Sequence, residues 1–401
     1  MKVLYLTYDG LTDNLGQSQI LPYVFCLQQA GHRFHIISCE KPINFNARYP
    51  TIQTLLQQHK VTHTPLFYTK HPPVLSTILD VIKLLRNAKQ LHAQHQFEVV
   101  HCRSYITALV GLYMKRKYGT KFVFDMRGFW ANERVDGNLW QLSNPLYKWV
   151  YNYFKRKEEQ FVQESDAVVS LTHAGLIEMQ RWNYTPTIET KTSIIPCCAD
   201  FNHFKPMPYN TALAKELNIL PTQQVLCYLG SLGTWYLLNE MLLLFKTLLA
   251  QQPNYVFLLI TTDDPNLVWN ACATHHINNQ HIRITKANRE QIPAYLSLVD
   301  WGVSFIKPSY SKLSSSPTKM AEMYACGIPL VCNAGVGDVA VINKLPLGVT
   351  LPTLNQYNYN EACVHITATT TVDKQAVRLQ AQQQLSLEYG AQLYIKMYAQ
   401  L

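Results

Sequence analysis

The chain has 401 residues, more than one hydrophobic core usually serves, so two domains of about 200 residues each are expected. Hydrophobic residues make up 48% and charged residues 15%, which excludes a disordered chain. The net charge of +9 suits an anionic partner: nucleic acid, an acidic membrane face or a phosphorylated small molecule.

The N-terminal run MKVLYLTYDG stops at Tyr8-Asp9-Gly10, too soon for a secretion signal, and no small-residue cleavage site follows. No apolar run approaches the ~20 residues of a membrane span. A cytoplasmic protein is expected, with peripheral attachment to the inner face of the plasma membrane as an alternative. Ten cysteines occur without a Cys-x-x-Cys pair or zinc spacing, so they read as buried reduced thiols, and no metal site is expected.

Along the chain, Val3-Leu4-Tyr5-Leu6 reads as a strand, Asp9 to Gly16 as a loop and Gln17 to Ala30 as a helix closed by Gly31. Phe34-His35-Ile36-Ile37 is the next strand. The rhythm recurs at Glu98-Val99-Val100, Lys121-Phe122-Val123-Phe124 and Ala167-Val168-Val169. Strands alternating with helices indicate a parallel, doubly wound sheet. After Ile194-Ile195-Pro196 comes a polar connector, CCADFNHFKPMPYN, and then the alternation restarts. Strands are expected at Val225–Leu229, Val256–Thr261, Trp301–Ile306 and Pro329–Cys332, and helical periodicity runs from Val372 to Leu401. The α/β reading divides the chain into a Rossmann-like domain at 1–200, a second at 201–372 and a helical segment at 373–401 that packs back on the first domain. Two such domains would face each other across a cleft, where open α/β sheets bind ligands at their carboxyl ends.

The segment SSSPTKMAEMYACG, Ser314 to Gly327, looks like an anion site opening a helix. Ser316 suits the N-cap, Pro317 the first helical position and Gly327 the C-terminal stop. Ser314, Ser315 and Ser316 bring hydroxyls and backbone N–H groups to a positive helix end. Lys319 lies in the first turn, where the helix dipole disfavours a cation, and Glu322 follows one turn later. A bound phosphate would reverse that sign, because a charge-assisted hydrogen bond contributes about 1.5–3 kcal/mol. A plain capped connection with a solvated lysine is the simpler alternative. Gly230-Ser231-Leu232-Gly233 supplies a second turn through which backbone can approach a ligand.

Together YDGLTDNLGQSQILPYV, VVHCRSYITALVGL, FDMRGFWANERVDG, IIPCCADFNHF, YLGSLGTWYLLNEM, DWGVSFIKPSYSKLSSSPTKMAEMYACGIPLVCN and GVGDV resemble the retaining glycosyltransferases of family 4, of the bacterial surface-glycan type. The resemblance spans the chain and implies the GT-B architecture of two Rossmann-like domains. It also implies transfer of a hexosyl or N-acetylhexosaminyl group from a nucleotide-sugar donor to a glycan or lipid-linked acceptor, with no cofactor and no obligatory metal. The family's pair of glutamates falls on Ser314 and Glu322. Glu322 keeps the position that contacts the nucleotide ribose, whereas Ser314 stands where a Glu commonly holds the donor sugar. The basic residue often found at the Gly230 turn is absent from Thr234-Trp235-Tyr236. Lys307, Lys312 and Lys319 are expected to supply that charge. Donor-side residues are therefore Gly16, Gly230, Ser231, Gly233, Lys307, Lys312, Ser314, Ser315, Ser316 and Thr318, with Lys319 and Glu322 at the chemistry.

On the N-terminal side, His101, Cys102 and Arg103 follow one strand, and Asp125 and Arg127 follow the next, where α/β enzymes place chemistry. His101 and Asp125 are the catalytic candidates there, with Arg103, Arg127 and Glu133 on the acceptor side. Asp125 either accepts a hydrogen bond from the attacking hydroxyl or orients its loop by pairing with Arg127 or Arg134. LYKWVYNYFKRKEE mixes aromatic and basic residues, as a helix lying on an anionic membrane would, or as a partly buried helix with a solvated basic end. Two other functions compete: a catalytically silent GT-B subunit that binds a partner transferase, and a sugar-nucleotide epimerase. Scattered basic residues without a binding motif argue against nucleic acid.

Overall fold

Runs of Val, Ile, Leu and Phe that are apolar on both faces need helices above and below them, and only a parallel sheet with crossover helices provides this. The computed structural model describes residues 1–72, 74–344, 346–369 and 372–401, and it divides into two units. The first comprises Met1–Pro196, Leu313–Ser315 and Gly390–Leu401; the second comprises Cys197–Lys312 and Ser316–Tyr389.

The first unit holds a seven-stranded sheet. Its strands are β1 (Lys2–Thr7), β2 (Arg33–Glu40), β3 (Thr62–Phe67), β4 (Val99–Arg103), β5 (Lys121–Asp125), β6 (Ala167–Ser170) and β7 (Thr192–Ile194). They lie in the order β3-β2-β1-β4-β5-β6-β7, and every pairing is parallel. The second unit holds six parallel strands: β8 (Gln224–Leu229), β9 (Tyr255–Ile260), β10 (Ile282–Thr285), β11 (Trp301–Ser304), β12 (Leu330–Asn333) and β13 (Gly348–Leu351). Their order is β10-β9-β8-β11-β12-β13. The winding reverses between β1 and β4 and between β8 and β11, the switch points where such sheets open a crevice at their carboxyl ends.

Four strands were not expected from sequence: β3, β7, β10 and β13. All four are sheet edges and are only partly buried, so they lack a continuous apolar run. The helix expected over Gln17–Ala30 is two helices, Asn14–Gln19 and Leu21–Gln29, parted at Ile20. Pro22 lacks the N–H that a continuous helix would use there. The polar connector is a further correction, because Cys197, Cys198, Ala199, Phe201 and Phe204 are buried. The Arg378 guanidinium ties this stretch down by donating to the Phe201 and Phe204 carbonyls. The C-terminal helical stretch is also two helices, Lys374–Leu385 and Leu387–Ala399. They part at Ser386, where Ala199 donates to the Leu385 carbonyl and accepts from the Leu387 N–H. Among the described residues no helix is long and apolar enough to cross a membrane.

Candidate functional site

In the second unit the candidate residues gather at the carboxyl ends of β8, β11 and β12. The helix after the serine-rich loop runs Thr318–Ala325, with Pro317 at its N-cap and Cys326 at its C-cap. Ser316 therefore does not cap it; its Oγ accepts from the Cys197 N–H at 3.1 Å. Gly327 follows the C-cap with φ +77°, the left-handed conformation that terminates helices. Thr318 opens the helix, and one residue later Lys319 points back toward the turn after β8.

That turn is built around Lys319. Its Nζ donates to the Tyr228 hydroxyl at 3.0 Å and lies 3.6 Å from the centroid of the Tyr236 ring and 4.4 Å from that of Tyr228. Tyr228 in turn donates to the Ser231 carbonyl, and the Leu232 N–H donates to Asp263. Enclosure by two rings removes water from the ammonium, so desolvation lowers the Lys319 pKa to about 7, with Glu322 and Cys332 opposing the shift. Gly230 has φ +125°, and a Cβ there would sit 2.8 Å from the Lys319 Nζ. Gly230→Ala is accordingly expected to push Lys319 off its rings, to weaken UDP binding severalfold and, because an L side chain is strained at this φ, to lower the melting temperature as well; calorimetry with UDP beside a thermal melt would check it. Gly233, by contrast, faces open space.

Lys312 occupies the neighbouring ring. Its Nζ lies 3.8 Å from the centroid of Trp235, and the residue is buried. The Trp235–Leu237 segment is stitched to the end of β11: Lys307 donates its N–H to the Trp235 carbonyl at 2.8 Å, and Leu237 donates to Phe305 at 3.1 Å. Asn333, at the end of β12, holds both backbone groups of Ile306. The segment that carries no basic residue of its own is thus flanked by two lysines held on its aromatic faces. The Lys307 side chain is exposed.

Glu322 lies one turn below Lys319 and pairs with Arg289, a residue not singled out in the sequence. Burial raises the carboxyl pKa, and the Arg289 charge and hydrogen bond oppose the rise. The Arg289 guanidinium also covers the Phe204 ring at 4.8 Å. The residue opens the short 3-10 helix Arg289–Gln291, whose capping box of Asn288 and Gln291 points to no partner for the arginine.

Ser314 groups with the first unit, as Leu313 and Ser315 do. Its Oγ accepts from the Phe129 N–H at 2.9 Å, and the Leu313 carbonyl accepts from Thr172 at 2.7 Å. A Cβ on Gly128 would lie 3.3 Å from the Ser314 Oγ, so the glycine lets this loop close on the hydroxyl.

In the first unit, β4 extends to Arg103 and β5 to Asp125, so His101, Cys102 and Arg103 belong to the strand rather than following it. His101 is 1% exposed and Asp125 0%. The Asp125 Oδ2 lies 3.6 Å from His101 Nε2 and 3.7 Å from Arg103, while Oδ1 lies 3.8 Å from Arg127. Arg134 stacks on Trp130 instead of pairing with Asp125. Two tyrosines of the C-terminal helix close the cluster: Tyr394 donates to Asp125 at 3.2 Å, and Tyr398 shares a 2.8 Å hydrogen bond with His101 Nδ1. Burial alone would raise the Asp125 carboxyl, but Arg127, His101 and Arg103 together hold it below its ordinary value. Desolvation keeps His101 neutral by lowering its pKa, against the pull of Asp125. An ionised carboxylate with a neutral imidazole in so enclosed a place orients Arg103 and Arg127. Glu133 sits in the first turn of the Trp130–Asp136 helix.

The loop after β1 is shaped by Glu40, a second residue that sequence reading missed. Its buried carboxylate accepts from the Leu11 N–H at 2.7 Å and from the Thr12 hydroxyl. Gly16 lies against this loop, where a Cβ would meet the Gly10 carbonyl at 2.2 Å. An ionisable residue ending the apolar run FHIISC was the available signal for Glu40.

Two Rossmann-like units with all-parallel sheets and Gly-bearing turns at their carboxyl ends make up the GT-B fold. Residues 24–203 match the model of Glycosyltransferase Family 4. Similar solved structures include a glycosyltransferase from Rickettsia africae (15% identity, 99% of this chain and 97% of that one, TM-score 0.71). Sucrose-phosphate synthase from Thermosynechococcus elongatus is 14% identical with full coverage of both chains and a TM-score of 0.71. HepE from Anabaena, solved in complex with UDP and glucose, is 14% identical with full coverage of both and a TM-score of 0.70. No curated protein matches the chain.

Proposed function

We propose that the protein transfers a hexosyl or N-acetylhexosaminyl group, with retention, from a UDP-linked donor to a glycan or lipid-linked acceptor. The observation that carries this is the pair of lysines on aromatic faces at the Gly230 turn, Lys312 over Trp235 and Lys319 over Tyr236. Positive charge held in a dehydrated setting suits the two phosphates of a nucleoside diphosphate, and it suits them most as the sugar departs and negative charge grows on the leaving oxygen. The UDP bound by the similar HepE structures supports uridine as the base.

In this reading the acceptor hydroxyl attacks the anomeric carbon from the side the diphosphate leaves. The bond from carbon to phosphate oxygen breaks, the bond from carbon to acceptor oxygen forms, and the hydroxyl proton passes to the departing phosphate. No protein nucleophile is needed. Glu322 holds the ribose hydroxyls, while Lys312 and Lys319 neutralise the diphosphate in place of a metal. Arg103 and Arg127, ordered by Asp125 and His101, face the acceptor.

The use of the Ser314 hydroxyl by Phe129 favours one rival, a silent subunit that binds donor without transferring sugar. Thermal stabilisation by UDP, followed by UDP release with an acceptor extract, separates the two. Stabilisation and release in excess chelator are expected; stabilisation without release in any extract would favour the silent subunit, and no stabilisation by any nucleoside diphosphate would remove both readings.

A further inference from the structure

The uneven charge of the first unit stands apart from the site just described. Residues 41–97 carry seven lysines and arginines against a single acidic residue, Asp80, a net +6 of the chain's +9. Asp80 is buried and pairs with Lys83, and Lys41 pairs with Asp13 outside the segment, which leaves Arg48, Lys60, Lys70, Arg86 and Lys89 as the basic residues not matched in an ion pair with either acid.

The same segment exposes an apolar surface. The Leu75–His95 helix buries Ser76, Asp80, Leu84, Ala88 and His92 and turns Leu75, Ile78, Leu79 and Ile82 outward, at 58%, 47%, 50% and 39% exposure. That spacing is one face of a helix. Phe67, at the end of β3, extends this face: its carbonyl accepts from Lys83 on the helix at 3.3 Å, and its half-exposed ring meets Phe45. Lys70, Arg86 and Lys89 stand exposed around the patch. An isolated apolar side chain at the surface is ordinary, but a contiguous stripe rimmed by one sign of charge marks an interaction surface.

We propose that this face, the outer side of the Leu75–His95 helix with Phe67, docks the protein on an anionic lipid bilayer. The pattern combines the two contributions that surface binding requires: apolar side chains to enter the headgroup boundary and lysines and arginines to meet negative lipid. The aromatic-basic Pro145–Glu164 helix is the weaker candidate, although Leu146, Trp149 and Tyr153 are exposed along it. It carries four basic residues against three acidic ones, a net of only +1. Moreover, its Lys155 is engaged by Glu158 and the Trp182 ring. The inference goes beyond the transferase reading, since binding to lipid can be read without turnover.

The test is flotation of the full chain with phosphatidylcholine vesicles that contain phosphatidylglycerol, beside vesicles of phosphatidylcholine alone. Binding is expected only to the anionic vesicles and is expected to fall steeply in about 0.5 M salt, where the screening length is only a few ångströms. Ile78→Asp with Ile82→Asp should weaken it at least about tenfold, and Arg86→Glu with Lys89→Glu should do so at low salt. Leu146→Asp with Trp149→Asp should change it less than about twofold. Equal binding to both vesicle types, unchanged binding in both of the first two variants, or loss confined to the third would each overturn the proposal. Sedimentation guards against another occupant: a wild-type dimer that becomes monomeric with Ile78→Asp and Ile82→Asp, without lipid binding, would assign the face to a second copy. The charge-reversal pair, at exposed positions, decides the matter if the aspartate pair fails to fold.

Discussion

Lys319→Met is expected to give a protein that is more stable than the wild type and nearly inactive. The activity loss should be about a hundredfold or more in kcat/KM for the nucleotide-sugar, the scale seen when a preorganised charge is removed from a developing anion. The stability gain follows from the pKa. Desolvation brings Lys319 from its ordinary 10.5 to about 7, so the folded protein binds this proton less tightly than the unfolded chain does. Below pH 7 both states are protonated and the folded state bears the full cost of a dehydrated ammonium. Between pH 7 and 10.5 only the unfolded state is protonated, so stability rises with pH, and above 10.5 the cost is gone. At one pKa unit per 1.36 kcal/mol, and with allowance for the partial exposure of the side chain, the cost at neutral pH is about 2–4 kcal/mol. Methionine keeps the stem and the ring contacts without the charge. Urea unfolding of the two proteins at pH 7 and pH 10 should show a gap at the first pH that has narrowed at the second. The same titration predicts how the donor binds. A diphosphate beside Lys319 raises its pKa again, so above pH 7 binding takes up a proton, and affinity weakens by up to about tenfold per pH unit. Calorimetry in buffers of different ionisation enthalpy would read that proton directly.

Why Lys319 was legible and its partners were not is a matter of range. A lysine in the first turn of a helix contradicts a local rule, and a local contradiction can be read without a structure. The central strands were legible for a similar reason, since burial on both faces writes itself as an unbroken apolar run. The edge strands β3, β7, β10 and β13 have one side to solvent and no such run. Arg289 is out of range altogether: it meets Glu322 across 33 positions, from a short 3-10 helix whose own sequence names no partner. Tyr394 and Tyr398 reach Asp125 and His101 across 269 and 297 positions, so the enclosure of those two residues could not be anticipated. The end of β4 was placed three residues early, at Val100 instead of Arg103, and that shift turned His101 from a loop residue into one buried within the sheet. Ser314 was visible as a departure from the family pattern. Its use by the Phe129 N–H was not, because it depends on a contact made 185 residues away.

Arg289→Ala is expected to destabilise the protein by about 3 kcal/mol at pH 8, because it leaves a buried carboxylate without its counter-charge. The dependence on pH distinguishes this from a loss of packing on Phe204. Burial already raises the Glu322 pKa above its ordinary 4.5, with Arg289 as the first opposing influence and His203 and Lys319 as lesser ones. Without Arg289 the folded-state pKa climbs further while the unfolded value stays near 4.5. Between those values the folded protein holds a proton that the unfolded chain has released, so stability falls as pH rises. The variant should therefore approach wild-type stability at pH 5 and lose it toward pH 8, as urea midpoints would report. An equal deficit at both pH values would assign the loss to packing alone. Adding Glu322→Gln to Arg289→Ala should restore part of the stability, since a neutral amide needs no cation, and that non-additivity is the mark of a direct pair. Donor binding should not be restored with it. A glutamine accepts hydrogen bonds from ribose hydroxyls more weakly than a carboxylate, so the double variant should fold well and still show a donor KM raised by about tenfold. A rescued fold with an unrescued KM would separate the two roles of Glu322, one toward Arg289 and one toward the nucleotide.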